Sequence, residues 1–170
     1  MKLKIREIAI FAMLGAVMFV SKVIMEGLPN IHLLGTFIVA FTLTYRAKAV
    51  FPIFAYVFAN GLWEGFNLFG WLPETYIWFI LWGVVMLLPQ NMPARIAPVV
   101  YMFVSALHGL LFDVFYAPAY VLFLGYEWND LGLILLSGLP FNILQAVGNF
   151  ALGILIVPLV TLLRKLEKNL

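Results

Sequence analysis

KLKIREIAIFAMLGAVMFVSKVIME, residues 2–26, carries Lys2, Lys4 and Arg6 at its head, an apolar run behind them and Glu26 at its tail. Basic residues beside membrane-spanning segments are retained on the cytoplasmic side. The stretch therefore reads as a membrane helix that starts inside and ends outside. The same polarity alternates along the rest of the chain. Arg46 and Lys48 lie between the second and third apolar runs, Arg95 between the fourth and fifth, and Arg164, Lys165 and Lys168 after the last. Glu26, Glu64, Glu74, Glu127 and Asp130 sit at the intervening breaks. The expectation is an all-α integral membrane protein: a six-transmembrane-helix bundle with N- and C-termini cytoplasmic. Three acidic, aromatic-rich loops then gather on the outside, where a solute would be met.

The composition agrees. Hydrophobic residues make up 65% of the chain and charged residues 11%, with a mean hydropathy of +1.06. A soluble domain has roughly a quarter of its residues charged, so lipid is the expected solvent. The whole chain, 1–170, reads as a single transmembrane domain with no room for a soluble catalytic one. A net charge of +2 spread over four basic sites is topological and not a nucleic-acid signal. The absence of Cys removes disulfides and thiolate chemistry. No A-x-A-like site follows the first run, so it is expected to be a retained helix and not a cleaved signal peptide.

The runs are expected at 4–27, 31–45, 49–63, 74–88, 94–116 and 138–164, with a kink at Pro158. Pro118 is expected to interrupt the fifth, and 119–138 to form a long outer loop dipping partly into the bilayer. Runs two to four are short. Fifteen residues at 1.5 Å each span about 22 Å, against a hydrocarbon core of roughly 30 Å.

Polar residues inside such runs are costly and usually functional. Asn142, Gln145 and Asn149 recur at i, i+3, i+7 on the last helix. Ser105 and His108 share a face of the fifth, with Asp113 further out, and Asn60 and Glu64 close the third. Each group has a plainer reading: amides joining helices, His108 paired with a carbonyl, Asp113 in water. Three helices offering polar groups at similar depth favour a shared cavity. Lys22 and Glu26 stand i, i+4 in the weaker order for a helical ion pair, which leaves Lys22 to snorkel. Trp71, Trp78 and most other Trp and Tyr residues fall in the outer half, more asymmetrically than an interfacial belt requires. Such rings would stack on a flat heteroaromatic ligand while amides orient it. The acidic outer face favours a neutral or cationic ligand.

Ala9, Ala12 and Ala16 lie on one face of the first helix, and Ala12-x-x-x-Ala16 is a small-residue motif of the kind that lets another helix approach closely. Packing inside the monomer is the alternative use of that face. No nucleotide-binding loop, H-E-x-x-H or G-x-S-x-G occurs, and His32 and His108 without Cys make a poor metal site.

Over its whole length the chain resembles the substrate-binding S component of an energy-coupling factor (ECF) vitamin transporter. The resemblance rests on six short aromatic-rich helices, on Ala12-x-x-x-Ala16, and on the stripe from Pro140-Phe141-Asn142 through Gly148-Asn149. It implies a multi-pass protein of a prokaryotic plasma membrane, without enzymatic activity, capturing a vitamin-like molecule at its outer face. It also implies docking of the alanine face to a membrane coupling subunit. Two ATPases use the ATP, and no cofactor resides in this chain. Binding would fall to Asn142, Gln145, Asn149, His108, Asn60, Glu64, Trp71 and Trp78. Two other readings stand beside it: a membrane-embedded enzyme using His108, Asp113 and Glu64, and a solitary facilitator or channel.

Overall fold

A computed structural model describes residues 3–168, so Lys2 of the basic head lies outside them. The ordered elements are α1 (Ile5–Ile24), α2 (Leu34–Tyr45), α3 (Val50–Glu64), α4 (Trp71–Leu87), α5 (Ala97–Leu110), α6 (Phe112–Leu124), α7 (Leu131–Leu152) and α8 (Ile156–Lys168). Tight 3-10 turns at Arg46–Ala49 and Gly153–Leu155 join α2 to α3 and α7 to α8, and no strand occurs among the described residues. Taken through these joins, four helical stretches are long and apolar enough to cross a membrane: Ile5–Ile24, Leu34–Glu64, Ala97–Leu124 and Leu131–Lys168. The α4 helix is apolar but shorter.

Side-chain contacts give the directions. Lys48 pairs with Glu7 and Lys22 with Glu64, so α1 and α3 run parallel with their starts together. Asn60 reaches Glu74, while an Arg46 guanidinium nitrogen donates to Met86 O at 2.9 Å, so α4 runs back along α3. The His32 and Trp78 rings meet at 5.6 Å, which sets α2 parallel to α4. The Leu34–Glu64 stretch therefore folds back on itself at Arg46, a non-glycine residue at φ 53°. The Trp82 indole donates to Arg46 O at 3.3 Å and holds the reversal from the α4 side.

The core forms around α2, whose residues Leu34 to Leu43 are all buried. A helix apolar on every side has no face to give to solvent, and the centre of a bundle suits it. Two of its three threonine hydroxyls bond back to their own helix, Thr42 to Ile38 O at 2.6 Å and Thr44 to Ala40 O at 2.9 Å. Ile53, Tyr56, Trp78, Leu81 and Ile156 pack around its Ile38 and Phe41. On the flank, α1 closes against α3 at Gly15, where a Cβ would stand 2.6 Å from Ala55 Cβ and 2.9 Å from Pro52 O. Only glycine permits that approach.

The expected outer loop at 119–138 is overturned. The α6 helix runs through Pro118 to Leu124, Gly125 caps it in the left-handed region at φ 72°, and α7 starts at Leu131. Pro118 and Pro140 lie inside helices on exposed positions. A helix-internal proline forfeits one hydrogen bond, yet membrane helices tolerate it. The first helix ends at Ile24, short of residue 27. The break in the last run falls at Gly153–Leu155, and Pro158 sits in the first turn of α8, where no intrahelical N–H is required.

Candidate functional site

Two polar clusters lie toward the end of the bundle that carries the acidic connections. The first joins α1, α3 and α4. Lys22 Nζ donates to Asn60 Oδ1 at 2.7 Å and pairs with Glu64. The Asn60 amide donates to Glu64 at 3.2 Å and to Glu74 at 3.0 Å, and the Tyr56 hydroxyl donates to Glu74 at 3.2 Å. Tyr56 and Asn60 stand i, i+4 on the buried face of α3, which is why both reach one carboxylate from the first turn of α4.

The second cluster joins α5, α6 and α7. The Asn142 amide donates to Asp113 Oδ2 at 2.9 Å, and the Asn149 amide to Ser105 O at 3.1 Å. Gln145, between them on the stripe, is buried. The helices approach closely here because Gly109 presents no side chain: a Cβ would stand 2.8 Å from the Asn149 amide nitrogen. Gly138 likewise leaves room for Asp113.

Trp78, 1% exposed, lies between the clusters. Its ring centroid is 5.6 Å from that of His32, edge to face, and 5.6 Å from that of His108, tilted by 31°. His108 Nε2 lies 3.0 Å from Ile77 O. A carbonyl only accepts, so Nε2 carries the proton, and in the neutral ring Nδ1 is left as an acceptor. His32 sits in the connection 25–33, outside the apolar stretches, and burial lowers its imidazole to about 4. Five buried polar atoms have no protein partner: His32 Nδ1, His108 Nδ1, Trp78 Nε1, Ser105 Oγ and Thr36 Oγ1. Ser105 lies one turn below His108 and faces Gly35 of α2, next to Thr36. Such orphans are rare in a folded protein and call for a reason.

The expected site residues therefore divide. Asn60 and Glu64 belong to the first cluster. Asn142, Gln145, Asn149 and His108 belong to the second, and Trp78 bridges the two. Trp71 is engaged in the fold: its indole donates to Val57 O at 2.8 Å and its ring meets Phe66 at 4.9 Å. His108, Asp113 and Glu64 are each held by a different partner, Ile77, Asn142 and Lys22. Sequence reasoning passed over Tyr56, Glu74, Thr36 and the role of Lys22. The i, i+4 spacing of Tyr56 and Asn60 was the available signal for the first.

Ala9, Ala12 and Ala16 are all exposed. The small residue that packs inside the monomer is Gly15, on the adjoining face of α1. No protein-family model, no curated protein and no solved structure matches this chain.

Proposed function

We propose that the chain is the substrate-capturing membrane subunit of an ECF-type importer, crossing the bilayer six times with both termini in the cytoplasm. The fold-back at Arg46 divides Leu34–Glu64 into two passes, α4 supplies another, and the basic connections then share one face. At 12 and 15 residues, α2 and α3 are short for a bilayer, and α2 is shielded from lipid by its neighbours.

The row of unpartnered polar atoms around Trp78 carries this reading. A bound ring stacked near Trp78 would meet an acceptor at His108 Nδ1 and a donor at Trp78 Nε1. The favoured ligand is thus a flat heterocycle offering both a donor and an acceptor, neutral or cationic beside Glu64 and Glu74. The exposed Ala9–Ala12–Ala16 face is free to receive a coupling subunit, which with two ATPases supplies the energy. The chain itself performs no chemistry.

Mass spectrometry of small molecules that co-purify with the detergent-solubilised protein tests the binding half. A heteroaromatic compound retained by the wild type and lost in His108→Phe is the expected result. Recovery of the coupling subunit and ATPases with the wild type, but not with Ala12→Trp, tests the other half. A protein that retains no small molecule and recruits no ATPase is not an importer subunit.

A further inference from the structure

At the opposite end of the bundle lies a cleft of about 480 Å³, bounded by the first turns of α1, the α2–α3 turn and the last turns of α8. Its walls are apolar: Ile10, Phe11 and Leu14 on one side, Leu163 and Leu166 on the other. Its rim carries Lys4, Arg6 and Lys48 against Glu7 and Glu167. Glu7 is already committed, paired with Lys48 through one oxygen and accepting the Lys4 backbone N–H at 2.9 Å through the other. Among the described residues no acid pairs with the Lys4 ammonium or the Arg6 guanidinium. Glu167 opposes them from α8, flanked by Lys165 and Lys168. Met13, 69% exposed, and Leu166, 48% exposed, line the cleft and reach the outer surface of the bundle, so it opens sideways.

An apolar cleft open to the side with two uncommitted cations at its mouth fits an amphiphile with an anionic head. Basic pockets between membrane helices on the cytoplasmic side take such lipids. We infer that the cleft holds one anionic phospholipid, its headgroup between Lys4 and Arg6 and an acyl chain along Phe11, Leu14 and Leu163. This rests on the chain lying in a bilayer with its basic end in the cytoplasmic leaflet, and not on the ligand or the importer role.

Native mass spectrometry of the protein released from micelles doped equally with phosphatidylglycerol and phosphatidylcholine tests it. The wild type retains one phosphatidylglycerol in preference to phosphatidylcholine. Lys4→Gln with Arg6→Gln weakens that retention about thirtyfold, from roughly fivefold for each basic group. Met13→Trp keeps both charges and loses the lipid by filling the cleft. Arg95→Gln removes a basic residue outside the cleft and changes nothing. Equal retention of the two lipids by the wild type overturns the assignment, and so does a loss in Arg95→Gln as large as in the double variant. Neither result bears on ligand retention near Trp78, which is measured separately on the same preparations.

Discussion

Lys22 pairs with Glu64 on α3, 42 residues along the chain, and not with Glu26, four residues on and already past the end of α1. It also donates to Asn60, which in turn serves both Glu64 and Glu74. One cation thus offsets two carboxylates. Lys22→Met should cost roughly 1–3 kcal/mol, because two partly buried acids are left with no cation. Adding Glu64→Gln should recover more than half of that. Unfolding measured in detergent decides it, and equal losses in the single and double variants would deny the pairing.

Neighbouring small residues on α1 should behave oppositely. Gly15→Ala drives a Cβ into Ala55 and Pro52, an overpacking expected to cost about 1–3 kcal/mol. Ala16→Trp, on the exposed side, should leave stability within about 0.5 kcal/mol while abolishing ATP-driven uptake. Normal uptake by a folded Ala16→Trp protein would remove the coupling subunit from this face.

Ser105→Ala separates binding from folding. Its hydroxyl is buried without a partner, so deletion should leave the ligand-free protein as stable or up to about 1 kcal/mol more stable. Ligand affinity should fall at least about fivefold if the hydroxyl bonds the ligand. Asn149→Ala should do the reverse, losing about 0.6 kcal/mol of stability through the Ser105 carbonyl contact with little change in affinity.

The pH dependence follows from His32. Its folded value lies near 4, below the ordinary His value of 6.5, because burial disfavours the charged ring. Between these values the unfolded chain binds the extra proton, so stability is lost as pH falls from about 6.5 toward 4. Melting temperatures taken across that window should drop less steeply in His32→Phe. An identical slope in both proteins would mean that His32 does not titrate in the unfolding step.

Tags on the two ends should be equally shielded from outside the cell, and a tag in the connection 125–130 should be reachable. A terminus found outside would turn the Trp78 site toward the cytoplasm and end the importer reading.

Much of the architecture was legible because long apolar runs with charged ends follow simple patterns. The basic-to-acidic polarity of residues 2–26 announced α1, and the i, i+3, i+7 spacing of Asn142, Gln145 and Asn149 placed all three on one buried face. Residues 119–138 misled because Pro118 and Gly138 look like loop punctuation, whereas exposed Leu122, Leu133 and Leu136 belong to apolar helices. The partners of the stripe, Asp113 and Ser105, and the reach of Lys22 to Glu64 were invisible for another reason. Spacing along a helix reports which residues share a face, but not which distant segment that face will meet.

Every side chain that α1 engages through Gly15, Phe11, Phe19, Lys22 or Glu7 lies between Tyr45 and Glu64. A ribosome delivers α1 before any of those residues exist. The first helix must therefore wait for most of its partners until α3 is made, with Lys22 lacking Glu64 until the end of α3 emerges. The seam between α1 and α3 is a late event of biogenesis: a chain truncated before Tyr45 holds a first helix without any of these partners, and one truncated before Asn60 still lacks both partners of Lys22.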